Sequence, residues 1–258
     1  MTHCLTLKGK RNMKNKVKTN KTITIGVNDY ASLLILPFNR PINQKIVLEL
    51  VESVKRNGQT RQVLLVRKPN NKLYVVDGQH LIRAMVSLNL PIECRIVECK
   101  TDTEIVQLMI DTNNTGKKWS FDDFINSWKE TGNKDYFTLQ NSIKHIYRNH
   151  IQSSVIPMAY LQVKRRTTAV RIVKKGDFVI KDRERAEFLL NCLVDVHRFL
   201  PPTRQVNQMF MRLMLTIGIR YEHSKMYKNL SIEATNGIDL THLSEEGIFN
   251  KLLKIYNK

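Results

Sequence analysis

Residues 76–84, which read Val-Asp-Gly-Gln-His-Leu-Ile-Arg-Ala, are of the types and at the spacing that suit phosphate binding. Gly78 lets the backbone turn sharply and lacks the Cβ that would block an incoming phosphate. The backbone amides that follow it point out of a helix N-terminus, which carries a partial positive charge. His80 and Arg83 lie three residues apart, on neighbouring positions of one helical turn, and add side-chain donors. The segment therefore predicts a phosphate-binding turn that leads from a strand into a helix.

The elements that must position this turn are read from apolar periodicity and turn residues. Strands are predicted at residues 63–67, 73–76 and 92–97, and residues 21–35 also have a strand-like pattern. Helices are predicted over residues 43–57, 79–89 and 101–109, the first ended by Asn57-Gly58. This succession predicts an α+β fold with a small mixed sheet, in which Gly78 lies where a phosphate would naturally bind.

The second half of the chain has helical periodicity. The predicted helices cover residues 120–128, 139–149, 183–199, 205–221 and 244–256. The sequence thus predicts a basic disordered arm over residues 1–22, a nucleotide-binding domain over 23–118, and a mainly helical, DNA-contacting domain over 119–258.

The charge of the chain indicates a polyanionic partner. Its 42 basic and 23 acidic side chains give a formal net charge of +19. Such an excess repels itself in the folded state, and nucleic acid is the commonest polyanion that offsets it. Residues 1–22 are basic and contain no acidic residue, so they favour phosphate contact, with a solubilising tail as the alternative. The predicted nucleic-acid-binding residues are Lys8, Lys10, Arg11, Lys117, Lys118, Lys164, Arg165 and Arg166.

The motif around Gly78 resembles the ParB/sulfiredoxin superfamily. The phosphate-binding box of ParB-type partition proteins reads Gly-Glu-Arg-Arg-x-Arg-Ala. Gly78, Arg83 and Ala84 match it, whereas Gln79, His80 and Leu81 do not. The Asp-Gly-Gln-His signature is closer to a subfamily found in phage and mobile-element proteins. The resemblance covers roughly residues 35–130. The predicted elements in this range agree with the family in their order as well as in the motif. Sulfiredoxins have a catalytic cysteine where this chain has Gln79, so their repair reaction is not expected.

The resemblance implies a ParB/sulfiredoxin-like N-terminal domain with CTP or ATP and Mg²⁺ as cofactors. The nucleotide-binding residues that it implies are Thr60, Arg61, Gln62, Asp77, Gly78, Gln79, His80 and Arg83. The family's metal box corresponds to residues 110–119, where Asp111, Asn113 and Asn114 are the candidate metal ligands and Asp111 is the candidate catalytic residue. Carboxylate and amide oxygens suit Mg²⁺. Lys117 or Lys118 would replace the family's arginine.

These observations favour a nucleotide-responsive, ParB-like DNA-binding protein of phage or mobile-element type. If the chain is an enzyme of this kind, we expect it to hydrolyse CTP or ATP slowly. The alternatives are a Mg²⁺-dependent nuclease, a phosphotransferase, and a DNA-binding regulator with a vestigial nucleotide pocket. The resemblance also implies a homodimer, although no equivalent of the family's C-terminal dimerisation region is identifiable. Partition proteins place a helix-turn-helix after the nucleotide domain, where this chain has the basic cluster 164–175, but the apolar spacing there predicts no clear helix-turn-helix.

Three further expectations follow from composition. No apolar run approaches the roughly 20 residues needed to cross a bilayer, and no signal peptide is recognisable, so we expect a cytoplasmic protein (host cytoplasm or nucleoid if phage-encoded) without a membrane partner. The four cysteines favour reduced thiols over a disulfide framework or a metal site. Trp119 and Trp128 favour a core position, with base stacking as the alternative.

Overall fold

The structure of the protein is a computed structural model that describes residues 21–37, 39–112, 119–218 and 224–258. The chain divides into two units, Met1–Asn113 and Asn114–Lys258. Residues 1–20 of the predicted arm lie outside the described residues, whereas Lys21 and Thr22 belong to the first strand. The predicted boundary between residues 118 and 119 lies at the end of a stretch outside the described residues, and it stays a prediction.

The first unit is built on one mixed β-sheet. Its strands are β1 (Lys21–Ile25), β2 (Leu33–Ile35), β3 (Val63–Arg67), β4 (Leu73–Asp77) and β5 (Ile92–Glu98). They lie in the order β1-β5-β3-β4-β2. The β1–β5 and β3–β4 pairs are antiparallel, and the β3–β5 and β2–β4 pairs are parallel. Because β3 and β4 are antiparallel, the segment before β3 meets the segment after β4 at one end of the sheet.

Helices cover both faces of this sheet. They are α1 (Gln44–Asn57), α2 (Gln79–Ser87) and α3 (Asp102–Thr112). The buried cluster under α1 and α2 includes Val54, Val63, Leu65, Val75, Leu81, Ile82 and Met85. Successive strand residues point to opposite faces, so the buried Leu64, Val66 and Val76 face the other side, where α3 contacts β4. The predicted small mixed-sheet α+β domain is confirmed.

The second unit is helical throughout the part that the structure describes. Its elements are α4 (Phe121–Glu130), α5 (Lys134–Asn141), a π-helical turn (Ser142–Ile146), α6 (Ile156–Leu161), α7 (Arg166–Lys175), α8 (Arg183–Val196), α9 (Arg204–Ile217), α10 (Ser224–Thr235) and α11 (Glu245–Asn257). A capping box starts α4, because the Ser120 hydroxyl accepts from the Asp123 amide while the Asp123 carboxylate accepts from the Ser120 amide. The predicted all-helical C-terminal region is confirmed for these residues.

The elements differ from the sequence-based ones in five places. A 3-10 helix at Val27–Ser32 separates β1 from β2 within the strand-like stretch 21–35. The helix predicted over residues 139–149 instead begins at Lys134, because the Asn133 side chain caps α5, and it passes into the π-helical turn. Helices α6, α7 and α10 were not predicted. All six residues of α6 are buried, so it lacks the polar face that gives a helix its periodic signal.

Among the described residues, no helix combines the length and the apolar composition that a membrane span requires.

Candidate functional site

The turn between β4 and α2 has the geometry that its sequence indicates. Asp77 ends the strand, and Gly78 follows in a left-handed conformation with φ of +96° and ψ of 14°. Its carbonyl accepts the first hydrogen bond of α2, from the Ile82 amide at 2.9 Å. The amides in the first turn of α2 have no hydrogen-bond partner within the helix. They carry the partial positive charge of the helix N-terminus. A glycine-led turn from a strand into a helix therefore exists at this position.

The reason for a glycine at this turn differs from the one expected. A Cβ on Gly78 would lie 3.0 Å from Cγ2 and 3.3 Å from Cα of Val63, the first residue of β3. The positive φ also disfavours any residue with a Cβ. Gly78 is itself buried. The missing side chain thus permits close packing of the turn against β3.

Two of the predicted phosphate donors have partners inside the protein. The Gln79 side-chain amide donates to the carbonyl of Arg40 at 2.6 Å. The Asn43 amide donates to Nε2 of His80 at 2.9 Å, so this ring nitrogen carries no proton. Both contacts hold the segment before α1 against the first turn of α2. Gln79 and His80 therefore have a structural role that sequence reasoning did not anticipate.

Two arginines from different segments remain exposed at the same end of the sheet. Arg83 follows Gln79 by four residues, so its side chain lies over the first turn of α2. Thr60, Arg61 and Gln62 are exposed and immediately precede β3, whose first residue packs on Gly78. Asp77 is half-buried opposite Leu64. The structure thus brings the residues from 60–62 and from 77–83 together at one end of the sheet.

Gln59 fixes the position of the loop that carries Arg61. Its side-chain amide donates to the Glu93 carbonyl at 2.8 Å, and its side-chain oxygen accepts from the Glu93 amide at 2.8 Å. The same amide donates to the Arg61 carbonyl at 2.9 Å. The side chain therefore pairs with the backbone of β5 as a neighbouring strand would, just before β3 begins. The alternation of apolar residues gives no signal for such a contact.

The predicted metal site is described only at Asp111. This exposed residue lies in the last turn of α3, and its carboxylate accepts from the Gln107 side chain at 2.9 Å. The helix starts beside the end of β3, where Nζ of Lys68 lies 2.6 Å from Oδ1 of Asp102. Its 11 residues rise by about 16 Å, so α3 leads back toward the end of the sheet that carries Gly78, on the opposite face.

The other predicted ligands, Asn113 and Asn114, lie outside the described residues, as do Lys117 and Lys118. In the part of the chain that the structure describes, no group of three or more histidine, cysteine, aspartate or glutamate side chains could hold a metal ion. Asp111 therefore fits a Mg²⁺ site only together with ligands from elsewhere. Lys8, Lys10 and Arg11 of the predicted arm also lie outside the described residues.

In the second unit, the basic cluster forms part of two packed helices joined by a tight turn. The four residues 162–165 connect α6 to α7, which contact each other. Gln162 adopts a left-handed conformation with φ of 53° and ends α6. Two contacting helices joined by a turn of this length have the connectivity of a helix-turn-helix. The apolar spacing of these residues does not reveal this arrangement, although Pro157 near the start of α6 is a signal for a helix N-terminus.

Helix α7 buries one face and exposes a basic one. Ala169 and Val173 are buried, and no acidic residue occurs in the helix. Its exposed residues are Thr167, Arg171, Lys174 and Lys175, and the exposed Lys164 and Arg165 precede it. Arg166 differs, because it is half-buried and donates to Gln208 at 3.2 Å and to Ser154 at 3.4 Å. Of the predicted cluster, Lys164 and Arg165 are accessible, and Arg166 has internal partners.

Two aromatic side chains hold the end of α7. Nε1 of Trp128 donates to the Lys174 carbonyl at 3.2 Å, and the Tyr136 hydroxyl donates to the Val173 carbonyl at 2.7 Å. The last carbonyls of a helix have no partner within it, so these donors satisfy them. Trp119 and Trp128 are 8% and 5% exposed and pack within the helical unit. The core position predicted for both is confirmed, and neither ring is accessible for base stacking.

The fold and these two sites define an α+β unit with a glycine-led turn at a sheet end, followed by a helical unit with a basic helix-turn-helix. No family model matches the chain, and no curated protein matches it. The chain is similar to a solved structure described as the C2221 form of a Pnob8-like ParB-N domain. The match has 9% identity and a TM-score of 0.37, and it covers 93% of this chain and 98% of that one. A similarity of this degree does not establish a family.

Proposed function

We propose that the chain is a ParB-like protein that binds duplex DNA through α7 and responds to a nucleotide bound beside Gly78. The observation that carries the DNA-binding part is the helix-turn-helix whose second helix exposes only basic residues and threonine. A formal net charge of +19 agrees with a polyanionic partner. In such motifs the N-terminal part of the second helix reads base edges in the major groove, while other groups contact phosphates.

The division of roles along α7 follows from its geometry. Thr167 and Arg171 are four residues apart and lie on one exposed face, so they are the candidates for contact with base edges. Lys164, Lys174 and Lys175 flank that face and suit phosphate contact, which positions a protein without reading sequence. Trp128 and Tyr136 keep the helix rigid, because they bind its last carbonyls from α4 and α5.

The test of DNA binding uses fluorescence anisotropy with a short mixed-sequence duplex. We expect the double variant Arg171→Ala/Lys174→Ala to weaken binding and to reduce the slope of log K against log salt by about 1 for each phosphate that the variant no longer neutralises. The matched control, Lys251→Ala/Lys254→Ala on α11, removes the same charge from exposed positions of the same unit. Equal effects of the two variants would assign the binding to net charge alone and would contradict the role of α7.

The nucleotide part of the proposal is supported by the turn at Gly78 and by two exposed arginines, Arg61 and Arg83, at one end of the sheet. The resemblance implies CTP, with ATP as the second choice, and Mg²⁺. The donors for the phosphates of the nucleotide are the amides in the first turn of α2 and the guanidinium groups of Arg61 and Arg83. Asp111, with Asn113 or Asn114, would hold the metal ion.

Calorimetric titration of CTP, ATP and GTP in the presence of Mg²⁺ tests this part. We expect saturable binding of one nucleotide, weakened by Arg83→Ala and unchanged by the control Lys72→Ala, which removes one charge at the opposite end of β4. The DNA affinity should then change when that nucleotide is present. Such coupling requires the nucleotide to prefer one state of the protein.

A second candidate is a DNA-binding regulator whose nucleotide pocket has become structural. The contacts of Gln79 with Arg40 and of His80 with Asn43 favour it, because they occupy two side chains at positions that the resemblance assigns to phosphate binding. No binding of any nucleotide, with DNA binding intact, would support this candidate. The nuclease and the phosphotransferase stay predictions, tested by Mg²⁺-dependent nicking abolished in Asp111→Ala and by phosphorylation of free serine.

A further inference from the structure

A cleft in the helical unit lies next to the helix-turn-helix. Its volume is about 490 Å³, and it is lined by Asp122, Ile143, Lys144, His145, Arg148, Ile151, Gln152 and Ser153. We propose that this cleft holds a backbone phosphate of the DNA that α7 contacts. The inference rests on the proposed DNA binding and adds a second, sequence-independent contact to it.

The chemistry of the cleft suits a phosphate. Lys144 and Arg148 are exposed, and within the described residues neither has an ion pair. They outnumber Asp122, the one carboxylate of the lining. His145 and the Ser153 hydroxyl add hydrogen-bond donors to the same walls. Charge-assisted hydrogen bonds from lysine and arginine to phosphate are the strong ones, and arginine can bind a phosphate through two parallel N–H groups.

The backbone presents these side chains through the π-helical turn. The Tyr147 amide donates to the carbonyl of Ser142 at 2.8 Å, five residues earlier. Three consecutive residues, 143 to 145, line the cleft. Such turns are rare in proteins and are frequent at functional sites. The turn therefore contributes Lys144 and His145 to the lining, and Arg148 follows it two residues later.

Hydrogen bonds from residues next to the lining of the cleft connect it to both helices of the helix-turn-helix. The buried Ser142 hydroxyl lies 2.7 Å from the Tyr160 hydroxyl of α6. Ser153 lines the cleft, and the hydroxyl of the next residue, Ser154, accepts from Arg166 at the start of α7. Cleft and basic helix are thus held in a fixed relation, which is what a protein needs to contact two points of one duplex without reorganisation.

A DNA phosphate explains these features better than a free anion does. A small anion would need only the cleft, whereas the wall of the cleft continues through Ser154 to the first turn of α7, with the exposed Lys164 and Arg165 beside it. In helix-turn-helix proteins the helix before the recognition helix, with its neighbours, crosses the DNA backbone. The cleft lies in the segment that leads into α6 and supplies cations for that crossing.

The test compares salt dependence of DNA binding for three double variants measured with the same mixed-sequence duplex. Lys144→Ala/Arg148→Ala removes the cleft cations, Arg171→Ala/Lys174→Ala removes those of α7, and Lys251→Ala/Lys254→Ala is the control. One phosphate contact contributes about 0.9 to the slope of log K against log salt. Between about 50 and 200 mM salt, the affinity of the wild type should therefore fall about 3.5-fold further than that of the cleft variant.

The outcomes separate this inference from the proposed function. If the cleft variant keeps the slope and affinity of the control while both fall in the α7 variant, the cleft contact is overturned and DNA binding stands. If the wild type does not bind the duplex, both proposals fall. A circular dichroism spectrum equal to that of the wild type is expected for each variant, because all six substituted residues are exposed.

Discussion

Gly176 ends α7 in a left-handed conformation, and its substitution tests how the basic helix is held. Its φ is +85°, and a Cβ there would lie 2.9 Å from Cζ2 of Trp128. The Trp128 ring covers this position while its Nε1 donates to the Lys174 carbonyl. In Gly176→Ala the ring must move, so the substitution loosens the packing that fixes the end of α7.

Gly132 provides a matched control in the same unit. Its φ is +86°, and a Cβ there would have nothing within 4 Å. A left-handed backbone costs a residue with a Cβ about 1–2 kcal/mol, which applies to both variants. Overpacking adds about 1–3 kcal/mol at Gly176 only. We therefore expect Gly176→Ala to lower the free energy of unfolding by about 2–5 kcal/mol and Gly132→Ala by about 1–2 kcal/mol.

Urea unfolding followed by tryptophan fluorescence measures this difference. The chain has two tryptophans, Trp119 and Trp128, and both belong to the helical unit, so the signal reports on that unit. A difference of about 2 kcal/mol between the variants separates their midpoints by about 1 M urea. Equal midpoints would refute the reasoning, because they would mean that the Trp128 ring does not pack on Gly176.

Two further predictions concern buried groups. Tyr136→Phe removes the donor to the Val173 carbonyl without changing the ring, and it should lower the free energy of unfolding by about 1–3 kcal/mol; an unchanged urea midpoint would contradict it. Burial raises the pKa of the Cys94 thiol from its ordinary value of 9.0 to about 11, and that of Cys192 to about 12. These two thiols stay protonated in the folded chain, whereas they ionise in the unfolded chain, so the free energy of unfolding should fall as the pH rises from 9 toward 11. Chemical labelling of Cys94 and Cys192 at pH 9 should be fast only in denaturant. Rapid labelling of either thiol in the native protein would contradict their burial.

Much of the α+β unit could be predicted because its signals are local. Alternating and continuous apolar runs identified β3, β4 and β5 to within a residue or so. The Asn57-Gly58 pair marked the end of α1, and Gly78 marked the turn into α2. In each case the determining residues lie within one turn or one strand of the feature. The chain therefore encodes these elements in short segments.

The helix-turn-helix could not be predicted on the same basis. Helix α6 has only buried residues, because it packs against α7, α8 and α9, and a helix without a polar face has no periodic pattern. Helix α7 carries threonines and basic residues among few apolar ones, so its buried face rests on Ala169 and Val173. The cleft residues come from separate turns, and nothing in their spacing marks them as one surface.

The sequence by itself determined most strands and helices of the α+β unit, the positions of the cationic side chains, and the glycine-led turn at position 78. Only the tertiary structure decided which of these groups meet. Gln79 bonds to Arg40, 39 residues away, and Trp128 bonds to Lys174, 46 residues away. The signals for a helix or a turn lie within a few residues, whereas such pairs form only when packing brings distant segments together. The contacts of Gln79 and His80 with the segment before α1 therefore come from the tertiary structure alone, and the role of both residues in nucleotide binding stays a prediction.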